Sequence, residues 1–78
     1  MSDRLTQVFS TVLDVPEDSL NDESSPSNTP QWDSLATINL TLGIESEFGV
    51  KLRTRQIMSM TTIGLARKVL RELGVQDI

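Results

Sequence analysis

The apolar positions of this chain fall into three helical stretches, with one long polar segment after the first. Leu5, Val8, Phe9, Val12 and Leu13 stand at i, i+3, i+4, i+7 and i+8, the spacing of one buried helical face, and predict a first helix over residues 3–13. Ser2 or Asp3 can cap it, and Val15-Pro16 closes it, because the residue before a proline is pushed out of the α region. A second helix is predicted over Ser34–Phe48, capped by Asp33 and stopped near Gly49. Its apolar residues do not make a single stripe. At about 100° per residue, Leu40, Ile44 and Phe48 share one direction while Leu35, Ile38 and Leu42 share nearly the opposite one. The first set leads on to Val50 and Leu52 and is assigned to the core. The second is assigned to a surface patch beside Ser34; the other arrangement this pattern allows is a bundle that packs the helix on both sides.

Between these helices, residues 14–32 form a connection rich in Ser, Asp, Glu, Asn and Pro. Nineteen residues without regular structure are unusual in a compact domain and point to function or local packing. Val15, Leu20 and Trp32 are its expected anchors, Pro16-Glu17-Asp18 can start a short turn, and residues 24–30, with Pro26 and Pro30, are expected to be the most mobile. Near residues 55–58 a short helix should present Ile57, with Met58 or Met60 filling gaps as flexible thioethers do. The last helix carries Ile63, Ala66, Val69, Leu70 and Leu73 at helical spacing. Thr61 or Thr62 caps it, Gly74 stops it, and Lys68 and Arg71 lie near its negative end. The expectation is one all-α domain over residues 1–78, with three principal helices and a minor one.

Composition changes this picture by what is missing. The 78 residues include no Cys and no His, which removes the thiolate nucleophile, the side chain that titrates near neutrality, and the usual ligands of structural zinc. An enzyme in its own right is therefore not expected. No apolar run approaches the roughly 20 residues of a membrane span, and Met1-Ser2-Asp3-Arg4 opens no basic leader. A cytoplasmic, non-membrane protein is expected. Charge is unevenly spread: residues 1–50 hold nine acids and the single base Arg4, whereas residues 51–78 hold six bases (Lys51, Arg53, Arg55, Arg67, Lys68, Arg71) and two acids. An acidic surface repels nucleic acid and steers basic partners; the basic remainder either balances it within the molecule or meets acidic groups on a partner.

Asp33-Ser34-Leu35 places one hydroxyl at a helix start, where orphan N–H groups and the positive end of the dipole favour an anion such as a phosphate. Ser34 is read as an attachment point. Ser10, Ser19, Ser24, Ser25, Ser27, Ser46 and Ser59 lack that setting. Trp32-Asp33-Ser34-Leu35, followed by Leu40, Ile44, Glu45, Glu47-Phe48-Gly49-Val50 and Leu52, then Thr61-Thr62-Ile63, resembles the acyl carrier protein family over nearly the whole chain.

That resemblance implies a four-helix bundle with a long loop between helices one and two. It implies that Ser34 receives 4′-phosphopantetheine from coenzyme A through a phosphopantetheinyl transferase, so that acyl groups ride on the chain as thioesters. It further implies that Asp33 and Leu35 meet the transferase and that Ile38, Leu42, Glu45 and Glu47 meet acyl-loading and acyl-processing enzymes, on a carrier expected to be monomeric. Fatty-acid carriers typically have Gly where this chain has Trp32, acids just after Leu where it has Ala36 and Asn39, and an acidic loop where it has Lys51, Arg53 and Arg55. The expectation is a specialised discrete carrier for polyketide, nonribosomal peptide, modified acyl or cell-envelope precursor synthesis; a housekeeping fatty-acid carrier is the alternative. From other classes remain a helical interaction module, in which Ser34 only starts a helix, and a small nucleic-acid binder, which the overall acidity disfavours.

Overall fold

A computed structural model describes residues 3–76 and 78. Its regular elements are α1 (Arg4–Leu13), a 3₁₀ turn (Glu17–Ser19), α2 (Ser34–Phe48), α3 (Thr54–Ser59) and α4 (Ile63–Glu72), with no strand among the described residues. The all-α reading holds, and three longer helices with one short one build the bundle.

Asp3 starts α1: its Oδ1 accepts the Thr6 amide at 2.8 Å. Ser2, the alternative cap, lies outside the described residues. The helix ends before Val15-Pro16. Asp14 takes the left-handed conformation at φ 57° and its N–H returns to the Ser10 carbonyl, a conformation that Asp tolerates better than most residues with a Cβ. Leu5, Phe9 and Leu13 enter the core. Val8 and Val12 lie against α2 at Gly43, where an added Cβ would sit 3.2 Å from Val8 Cγ1. The absence of a side chain lets the two helices approach closely.

The connection is more ordered than its composition suggests. Residues 24–30, expected to be the loosest stretch, contain two buried side chains, Ser24 and Thr29. Asn28 Oδ1 accepts the Ser25 amide at 2.8 Å, and its Nδ2 donates to the Glu23 carbonyl at 3.1 Å. The loop also finishes α4: the amides of Ile63 and Gly64 donate to the carbonyls of Ser24 and Asp22 at 3.1 and 3.0 Å. A helix start leaves such donors unsatisfied unless something outside the helix takes them, and here the polar loop does so. Val15 and Leu20 pack against the core as expected, and Trp32, 4% exposed, meets Phe9 edge to face with ring centroids 5.1 Å apart.

Both faces of α2 fall as predicted. Ala36, Leu40 and Ile44 are buried and Phe48 packs partly against them, whereas Leu35, Ile38 and Leu42 are 67%, 58% and 59% exposed. Gly49 at φ 66° ends the helix. α3 is slightly longer than expected and lays Ile57 against the core; Met60, not Met58, is the buried thioether. α4 is capped by Thr62, whose Oγ1 accepts the Leu65 amide at 3.0 Å. At its other end Gly74, at φ 93°, allows the Val75 amide to reach Leu70 O and the Gly74 amide to reach Arg71 O, a Schellman closure. Leu73, expected on the buried face, is 37% exposed, because the helix has ended at Glu72 and the chain turns away there.

Candidate functional site

Ser34 is the first residue of α2 and its side chain is exposed. Three features hold it in place. Trp32, two residues earlier, is fixed in the core on Phe9. Asp33 Oδ1 accepts the Ala36 amide at 2.8 Å. The Asp33 carbonyl accepts the Thr37 amide at 3.0 Å and Thr37 Oγ1 at 3.1 Å. With Ala36 capped and Thr37 inside the helical ladder, the Ser34 and Leu35 amides have no acceptor among the described residues, and Ser34 Oγ makes no hydrogen bond there. The site is an accessible hydroxyl beside two free amides at the positive end of a fifteen-residue helix.

His is absent from the sequence, and the one neighbouring acid, Asp33, is committed to its cap. No cluster of acidic residues able to hold a metal ion occurs among the described residues.

Leu35, Ile38 and Leu42 form an exposed apolar stripe leading along α2 from Ser34. The two glutamates expected to meet partner enzymes also make internal contacts. Glu45 Oε2 accepts the Leu52 amide at 2.8 Å, tying the segment after α2 back to the helix. Glu47 accepts from Arg4 Nε at 3.0 Å, Arg4 Nη2 reaches the Glu47 carbonyl at 2.7 Å, and the guanidinium lies over the Phe48 ring, 4.7 Å from its centroid. Both carboxylates are engaged by their own chain, while the apolar stripe is not.

One charged cluster was not legible in the sequence. Arg67 on α4 bridges Asp3 at the head of α1 and Asp22 in the loop, the latter at 3.0 Å. Burial alone would raise the Asp3 pKa, but the Thr6 amide and the Arg67 guanidinium outweigh it, and the carboxyl lies below its ordinary value of 3.8. Burial likewise opposes the charge on Arg67, yet its bonds to Asp3 and Asp22 raise its pKa. The partners are 64 and 45 residues apart in sequence, so no local pattern announces them.

No helix of the described residues is long and apolar enough to cross a membrane. A family profile described as "Phosphopantetheine attachment site" matches residues 3–67. The acyl carrier protein of Petrotoga mobilis is 29% identical over 76 residues, spanning 96% of this chain and 89% of that protein.

Proposed function

The chain belongs to the acyl carrier protein family, whose members bear covalent 4′-phosphopantetheine and are carriers, not catalysts, and from that premise we propose that Ser34 Oγ is the atom to which the arm is joined. The observation that carries this reading is the accessible, unshared hydroxyl at the start of α2 with the Ser34 and Leu35 amides free beside it. The site suits a phosphodiester. Its single negative charge meets the positive helix end and two donors, with Asp33 already turned to its own cap. The arm supplies the thiol that the chain lacks.

Loading joins Ser34 Oγ to the phosphorus that bears the pantetheine arm and breaks the pyrophosphate bond of coenzyme A, releasing the adenosine bisphosphate half. The serine proton passes to a base of the phosphopantetheinyl transferase. Asp33 positions the hydroxyl by fixing the helix start, and Leu35, Ile38 and Leu42 offer the transferase and acyl-processing enzymes an apolar stripe to dock on. Glu45 and Glu47 contribute at the edge of that surface when a partner competes for their internal bonds. The domain works as a monomer spanning residues 1–78, in the cytoplasm.

Intact mass after incubation with coenzyme A, magnesium and a broad-specificity phosphopantetheinyl transferase tests the assignment. One phosphopantetheine unit is expected on the wild type and none on Ser34→Ala; a modified Ser34→Ala protein would refute it. A folded wild type that takes up nothing would favour the helical interaction module. We also propose that the pathway is specialised, on the strength of Trp32 ahead of Asp33 and of bases at positions 51, 53 and 55. Efficient elongation of the loaded chain by a housekeeping ketosynthase would overturn that part and favour fatty acid synthesis.

A further inference from the structure

Lys51, Arg53 and Arg55 are exposed and, together with Thr54, Gln56 and Leu73, line an open hollow of about 710 Å³ between the α2–α3 segment and the end of α4. None of the lining residues is acidic. The contrast with the other arginines is informative. Arg67 is consumed by Asp3 and Asp22, Arg4 by Glu47, and Arg71 by the Ile78 carbonyl. Among the described residues, by contrast, Lys51, Arg53 and Arg55 take part in no ion pair. Glu45, the nearest acid along the chain before this segment that is not paired with Arg4, spends its carboxylate on the Leu52 amide. The arrangement concentrates positive charge around a concavity whose lining includes an apolar side chain, Leu73, at 37% exposure.

The geometry points to a second docking surface, in which the Lys51/Arg53/Arg55 rim takes an acidic, partly apolar protein segment of a partner enzyme. The inference rests on the carrier reading only for the kind of protein that supplies this segment. Charge complementarity chooses the occupant. An anionic membrane repels a chain of net charge −4 as a whole, since a broad sheet cannot face the rim alone. A phosphate polymer meets the same repulsion, and three bases give it few contacts through which to release counterions. A local acidic patch on a protein can face the rim without approaching the acidic remainder of the chain. This surface differs from the apolar stripe near Ser34, and a partner that uses both gains orientation as well as contact.

The test is heteronuclear NMR of the unmodified protein titrated with a synthetic amphipathic peptide of alternating Glu and Leu, beside a Lys-for-Glu version of that peptide. Expected are amide shift changes confined to residues 51–58 and Leu73 with the acidic peptide, absent with the basic one and weakened by raising salt from 50 to 200 mM. In the charge-reversal variant carrying K51E, R53E and R55E, affinity should fall roughly tenfold or more, as three exposed pairs of modest strength would give. The neutral variant carrying K51Q, R53Q and R55Q, with unchanged spectra elsewhere, separates lost charge from lost fold. Shifts centred on Arg4, Arg67 or the stripe at Leu35, Ile38 and Leu42 would overturn the inference. So would no shift at all, or stronger responses of residues 51–55 to phosphatidylglycerol vesicles or duplex DNA than to the peptide. The readout does not involve Ser34, so failure of the rim and failure of phosphopantetheine loading are seen separately.

Discussion

Removing the Glu45 carboxylate tests whether this residue holds the fold or serves partners. Its Oε2 accepts the Leu52 amide at 2.8 Å, and Leu52 is only 9% exposed. Glu45→Ala leaves that amide without its acceptor while the backbone bond from the Gly49 amide to the Glu45 carbonyl remains. A hydrogen bond to a charged group contributes roughly 1.5–3 kcal/mol. Glu45 is half-buried and water can partly replace it, so the lower part of that range applies, about 2 kcal/mol. For a domain of this size that lowers the Tm by roughly 10 °C. Glu45→Gln keeps an acceptor oxygen without the charge and should cost about half as much.

Urea unfolding at neutral pH measures both losses, and hydrogen exchange at the Leu52 amide locates them. Protection there should survive in Glu45→Gln and collapse in Glu45→Ala. A Glu45→Ala protein within about 0.3 kcal/mol of wild type, with unchanged exchange at Leu52, would refute the tether. Partner assays then become interpretable. If Glu45→Gln stays folded at the assay temperature but is processed poorly by acyl-transferring enzymes, those enzymes read the charge itself.

Two further outcomes follow from close contacts in the loop. Gly64→Ala places a Cβ 3.0 Å from the Asp22 carbonyl oxygen, so the loop must give by a few tenths of an ångström; set against the helix gain of Gly→Ala, a net cost of about 1 kcal/mol is expected in urea unfolding, and a gain of stability would mean that the loop is not docked there. Stability should also depend on acid through Asp3: its folded pKa is depressed, so the stabilisation is present above the ordinary value of 3.8 and is lost as pH falls through the folded value. Arg67→Met removes one of the groups that depress it and should shrink the difference in urea midpoint between pH 7 and pH 2.5; an unaltered difference would exclude the pair as its source.

Much of the fold was legible because helices repeat every 3.6 residues. The two faces of α2 could be separated by angle alone, and Asp33, Ser34 and Gly49 mark its boundaries by local chemistry, since caps act within three residues. The loop was not legible. Its Ser, Asn and Thr residues read as polar and loose, yet Ser24 and Thr29 are buried and the Asp22 and Ser24 carbonyls close the start of α4. Those bonds depend on backbone groups that every residue possesses, so composition carries no trace of them. Glu45 and Glu47 show the same limit for side chains: their contacts with Leu52 and Arg4 come from tertiary packing and leave no local signal.

The packing also changes what the uneven charge means. Taken along the sequence, the acidic half and the basic half suggest internal neutralisation, and Arg67 does serve that purpose, joining α1, the loop and α4 through Asp3 and Asp22. The bases at positions 51, 53 and 55 do not. They follow the C-terminal end of α2, where the negative pole of the helix favours cations by a few tenths of a kcal/mol, enough to tolerate three bases there but too little to require them. Ser34 begins the same helix, and the fourteen rises of about 1.5 Å each to Phe48 separate it from that end by roughly 21 Å. The stripe of Leu35, Ile38 and Leu42 lies between. If one enzyme engages both the basic rim and Ser34, it spans the length of α2. Under the proposed function, the rim would bear on which enzymes dock, while Asp33, Leu35 and the rest of the stripe would meet them at the Ser34 end.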